Sequence, residues 1–134
     1  MNVMRSDTES QGFTCFLIPN TPSLELTDEI AEITSTELQQ ICLSNGWKLE
    51  FFKVDTQYLQ WAVSVRQTVT VKDIILQVRS DLNNKILLVF VKQDLKPPPD
   101  FWAEGYLVLH GLISIPTEII DRYILLIRRR QSSY

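Results

Sequence analysis

An α+β domain is the fold class this sequence predicts, and three observations predict it. Short apolar, β-branched runs alternate with longer segments of helical period. Turn-forming residues separate most of them, and the resulting order is strand, helix, strand, strand, helix, strand, helix. The 134 residues are 45% hydrophobic and 22% charged, which suits one domain with a single substantial core and not a disordered chain.

Residues 1–11 (MNVMRSDTESQ) are polar and without period and read as a loose arm, followed by one domain over 12–131. Gly12 to Ile18 is apolar and aromatic, a buried strand that Pro19-Asn20-Thr21-Pro22 stops. Thr27 or Asp28 caps a helix whose Ile30, Ile33, Leu38, Ile41 and Cys42 share a face. Asn45-Gly46 ends it with a residue suited to the left-handed conformation. Leu49 to Phe52 and Tyr58 to Val65 read as strands joined through Asp55-Thr56-Gln57 in a hairpin.

Thr70 with Asp73 resembles a capping box, and Ile74, Ile75, Val78 and Leu82 continue a helical stripe. Pattern alone leaves Lys85 to Val91 open between helix and buried strand, and it leans toward strand. Lys96-Pro97-Pro98-Pro99-Asp100 is an extended loop. Phe101 to Gly105 leads into a strand over Tyr106 to Leu112. Pro116 or Thr117 then opens a last helix, 117–130, with Ile119, Ile120, Tyr123, Ile124 and Ile127 on one face and Leu125 and Leu126 widening it.

This order is the split βαβ, or ferredoxin-like, plan (β-α-β-β-α-β) with an appended C-terminal helix. Right-handed crossovers place the first two helices on one face of a four-stranded antiparallel sheet. The other face must be solvated, covered by the last helix, or paired with a second subunit. The apolar character of the last helix favours the second and third arrangements.

Composition restricts the chemistry. Only Cys15 and Cys42 occur, both in apolar segments, so no disulfide framework is expected. One histidine, His110, rules out a site of paired histidines within one chain, and beside Gly111 in a strand it reads as a packed or rim residue. Four scattered glycines make no phosphate loop, and G-x-S-x-G, C-x-x-C and H-E-x-x-H are absent. Trp47, Trp61 and Trp102 read as core or interface anchors. No apolar run is long enough to span a bilayer and no signal-peptide pattern opens the chain, so the expectation is a cytoplasmic protein without a membrane partner.

The net charge of -3 is uneven: residues 1–67 carry four basic and nine acidic side chains, residues 68–134 nine and seven. With a pI near 5.1 the domain has no global field for nucleic acid, and such binding would need a local patch. Arg128-Arg129-Arg130 also suits the C-terminal end of a helix dipole.

Several segments together resemble the small single-tyrosine transposases of the insertion sequence 200 type, in the HUH nuclease class. Phe101-Trp102-Ala103-Glu104-Gly105-Tyr106-Leu107-Val108 is similar to that family's F-W-[AS]-x-G-Y-[FY]-V stretch. Thr117 to Ile124 is similar to its S/T-x-E-x-I-x-x-Y-I-x-x-Q helix, Val69 to Arg79 to its S-P-S-x-I-V-x-x-L-K helix, and Tyr58 to Ser64 stands where its H-V-H-L-L-V-S strand does. Order and spacing agree over residues 12–131. The resemblance implies that Lys85 to Phe90 continues the second helix. It also implies a homodimer joined through edge strands, with the last helix reaching toward the partner, and recognition of single-stranded or hairpin DNA.

In that family two histidines bind Mg²⁺ or Mn²⁺, the metal polarises the scissile phosphate, and a tyrosine attacks it to form a 5′-phosphotyrosine link. Tyr123 matches the nucleophile. The histidine positions are Tyr58 and Gln60, and the glutamine that serves as third ligand matches Ile127. These three make no Mg²⁺ or Mn²⁺ site, since such ions want carboxylate and water oxygens. The expectation is therefore a catalytically inactive transposase-like domain, without cofactor or metal and still dimeric. Arg66, Lys72, Arg79, Lys85, Arg128, Arg129 and Arg130 are its candidate nucleic-acid contacts. A domesticated protein-interaction or regulatory module is the alternative; an active enzyme using Tyr123 is the weakest reading.

Overall fold

The computed structural model describes residues 10–132. The arm expected over 1–11 lies outside the described residues as far as residue 9, and Ser10 and Gln11 already belong to the first strand. The elements are β1 (Ser10–Leu17), α1 (Asp28–Asn45), β2 (Lys48–Val54), β3 (Leu59–Arg66), α2 (Val71–Lys92), β4 (Leu107–His110) and α3 (Thr117–Ser132). All strands pair antiparallel in the order β2-β3-β1-β4, the ferredoxin-like order that the sequence predicts. β1 and β3 are central and the most apolar; β2 and β4 are the edges.

α1 ends where Asn45-Gly46 predicts. Gly46 takes φ +73°, its N–H donates to Leu43 O (3.2 Å) and the Trp47 N–H donates to Cys42 O (2.9 Å). At the start of α2, Thr70 Oγ1 accepts from the Asp73 N–H at 3.1 Å, the first half of the expected capping box. The leaning toward a strand over Lys85 to Val91 is wrong: α2 is one helix of 22 residues. Its apolar residues sort by helical period, with Ile74, Ile75, Val78, Leu82, Ile86 and Val89 inward and Leu88 and Val91 left 61% and 62% exposed. A short apolar run hides this split between two faces, and only the neighbouring sheet decides it.

Alternation along β1 and β3 divides the interior in two. Phe13, Cys15 and Leu17 of β1, with Leu59, Trp61, Val63 and Val65 of β3, meet Leu38, Ile41, Ile74, Val78 and Leu82 of the two helices on the first face. Phe16, Ile18, Tyr58 and Ala103 meet Ile115, Ile120 and Ile127 on the second, beneath α3. The last helix thus covers the sheet of its own chain. Trp61 and Trp102 are core anchors as expected, and both bury their indole N–H groups without a partner among the described residues.

The stretch from Asp100 to Gly105 closes one end of both layers. Asn83 Oδ1 accepts from the Phe101 N–H (2.8 Å), the Asn20 N–H donates to Phe101 O (2.7 Å), and the Ala103 N–H donates to Ile18 O (2.8 Å). Phe101 and Trp102 fill the first core while Ala103 faces the second. The tryptophan signature read from the sequence is therefore a buttress that connects α2, β1 and α3.

Candidate functional site

The second face of the sheet brings together four residues that the sequence singled out. Tyr58 immediately precedes β3 and Gln60 lies within it, and Tyr123 and Ile127 are on the inward face of α3. Phe16 lies at their centre, fully buried, 4.9 Å from the Tyr58 ring and 5.7 Å edge-on from the Tyr123 ring. Lys53 stands over the outer side of Tyr58 at 5.8 Å. Ile127 belongs to the same apolar cluster and is only 8% exposed.

Gln60 is almost fully buried, and its Oε1 accepts from the Ile115 N–H at 2.7 Å. Thr14 of β1, whose partner in β3 is Ala62, donates through Oγ1 to Gly111 O (2.7 Å) and accepts from the Ile113 N–H (3.2 Å). These residues receive the segment that crosses the sheet between β4 and α3. Thr14 and this role for Gln60 were missed by sequence reasoning. The signal was there, since each is a polar residue flanked by apolar ones in the middle or at the start of a largely apolar strand.

Tyr123 is half-buried between Phe16 and Gly105. Gly105 takes φ +88°, and a Cβ there would lie 3.6 Å from the Tyr123 hydroxyl. Burial pushes the phenol above its ordinary range, opposed by the positive charges of Arg79 and Arg130. A phenol held protonated is a weaker nucleophile than a solvated one, and no base within the described contacts offsets this.

The donor set does not fit a divalent metal. Tyr58 supplies a phenol packed on a ring, the Oε1 of Gln60 is engaged by a backbone N–H, and Ile127 has no donor atom. Among the described residues no three His, Cys, Asp or Glu side chains gather into a possible metal site. His110 pairs with Phe13 and stacks on it edge-on at 5.1 Å, so it stands on the first face with the sheet between it and Gln60.

Of the candidate nucleic-acid contacts, Arg79 and Arg130 both bring positive charge to Tyr123, while the others lie on separate elements. Arg66 ends β3 and Lys72 lies in the first turn of α2, while Lys85 borders a groove with Glu37 and Asp81 between α1 and α2. Arg79 turns inward, donating to Asp100 Oδ2 at 3.1 Å and to Trp102 O at 3.2 Å. Arg128 donates to Pro19 O (2.9 Å) and Asn20 O (3.1 Å). Arg129 and Arg130 are exposed at the end of α3.

This arrangement, a ferredoxin-like sheet with a tyrosine-bearing helix laid over its second face, is a transposase-like fold, shared with two solved structures. A protein from Deinococcus radiodurans R1, described as a transposase, matches over 87% of this chain and 90% of its own, with TM-score 0.73 and 17% identity. A REP-associated tyrosine transposase bound to a REP hairpin matches over 84% of this chain, with TM-score 0.55 and 5% identity. The chain spans only 61% of that second protein's length. At such identities the fold is what is shared. No family profile matches the sequence, and no curated protein does. Among the described residues no helix is long and apolar enough to cross a membrane.

Proposed function

We propose that this chain is a degenerate member of the insertion sequence 200-like, single-tyrosine transposases, one that keeps the scaffold and no longer cleaves DNA. One observation carries the reading: both positions that correspond to metal-binding histidines are committed to structure. Tyr58 packs on Phe16, and Gln60 holds the Ile115 N–H. Without a Lewis acid the Tyr123 hydroxyl, raised in pKa by burial, has nothing to activate it or the phosphate it would attack. The role left to such a scaffold in a cytoplasmic homodimer is to bind single-stranded or hairpin DNA through its exposed basic residues.

The test is incubation of labelled single-stranded hairpin DNA with wild type and Tyr123→Phe, in Mg²⁺ or Mn²⁺. The expected result is no denaturation-resistant adduct with either protein. An adduct that forms with wild type and vanishes in Tyr123→Phe overturns the proposal.

A second reading, a protein-interaction module without nucleic-acid binding, is favoured by the use of Arg79 and Arg128 to hold main-chain carbonyls. Phosphate contacts would make binding strongly salt-dependent. Salt-sensitive retention of the hairpin without an adduct supports the DNA-binding reading; no retention at low salt supports the module. Light scattering at micromolar concentration tests the dimer, for which twice the monomer mass is expected.

A further inference from the structure

We propose that Gly12, Thr14 and Gln60 form a clasp that lays the segment between β4 and α3 across the second face and holds α3 on its own sheet. The inference goes beyond the loss of cleavage, because it gives the former ligand position a new task.

Buried polar side chains are rare among the described residues. Among the described residues the side chains classed as buried and polar are Thr14, Thr34 and Gln60, and Thr34 turns back within α1 to Ile30 O. The two on the sheet both face the connecting segment. A Thr and a Gln in such positions cost stability unless each is hydrogen-bonded, and valine or methionine would fill the same space without that cost. Their placement is explained by the strand-like course of the segment. Alternate residues 111, 113 and 115 present main-chain groups to the sheet, and Thr14 and Gln60 meet all three.

Gly12 completes the set. The Gly111 N–H donates to Gly12 O at 2.8 Å, and a Cβ on Gly12 would come within 2.7 Å of Leu112 Cγ. The absent side chain is what lets Leu112 lie against the strand. At its far end α3 is fastened through Arg128 to Pro19 O and Asn20 O. The helix is thus held at both ends, with Tyr123 between.

Hydrogen exchange tests the clasp without any DNA. Thr14→Val and Gln60→Met keep the volume and remove the acceptor, leaving the Ile113 or Ile115 N–H unpaired. Each variant should speed exchange of its own amide and of the α3 amides by on the order of 10- to 100-fold. The α1 and α2 amides should not change, and Thr14→Ser, which keeps the hydroxyl, should restore the protection. If both variants leave the α3 amides as in wild type, the clasp does not exist. Equal acceleration in α1, α2 and α3 also overturns it, because the two side chains would then support the whole fold and not α3.

Discussion

Replacing Phe16 by alanine is the sharpest test that α3 closes a true second core. Phe16 is fully buried in the central strand β1 and touches Tyr58 from the sheet and Tyr123 from the helix. Truncating a buried Phe to Ala costs about 3–5 kcal/mol, rising with the cavity that cannot collapse. β1 is fixed by β3 on one side and β4 on the other, so the floor of the cavity cannot move and the upper half of that range applies. That range already includes the loss of the two aromatic contacts. In a domain of this size 1 kcal/mol corresponds to about 4 °C, which gives a fall of roughly 16–20 °C in Tm. Circular dichroism melts at neutral pH, with urea titrations beside them, read the change. Leu125→Ala, on the exposed side of α3, is the control and should stay within about 0.5 kcal/mol. A loss below about 1 kcal/mol for Phe16→Ala would refute the reasoning, since α3 would then rest on the sheet without packing into it.

Three further outcomes are expected. Thr70→Ala removes the acceptor for the Asp73 N–H and should cost about 1 kcal/mol in urea unfolding, with the fold unchanged. Arg79→Ala breaks the contacts to Asp100 and Trp102 O, and should destabilise by about 1.5–3 kcal/mol in the same assay. Burial pushes Cys15 up to about 12, with the neighbouring Cys42 adding to it, and pushes Cys42 up to about 11. Folded-state values above the unfolded one mean that the native state holds these protons more tightly. Their contribution is complete below about pH 8.5 and is lost as pH rises toward 11 and 12. Stability should therefore fall with rising pH above about 9, less steeply in a Cys15→Ala/Cys42→Ala variant, and a thiol reagent at pH 7 should label neither cysteine before unfolding.

Where the sequence was easy to read, local physics and tertiary packing agree. The Asn45-Gly46 stop works because only the left-handed residue satisfies the last carbonyls of α1, and this is a local matter. The Pro97-Pro98-Pro99 loop and the alternation along β1 and β3 are local in the same way. Lys85 to Val91 was hard to read because helix and strand both bury a short apolar run, and the answer lies in which residues meet the sheet. The site was read in part. Tyr58, Gln60, Tyr123 and Ile127 share one face of a single chain, whereas the resemblance has the last helix reach toward a partner. Arg79 and Arg130 both bring their charge to Tyr123, which no periodicity in the sequence could say.

By itself the sequence determined the element order and the ferredoxin-like sheet, which follow from residue type and spacing along the chain. Only the tertiary structure decided what Tyr58 and Gln60 do: the tyrosine packs on Phe16 and the glutamine holds the segment that leads to α3. The reason is physical. Ile115 meets Gln60 across 55 positions of sequence, and a contact of that range exists only once the sheet has formed and the chain has folded back over it.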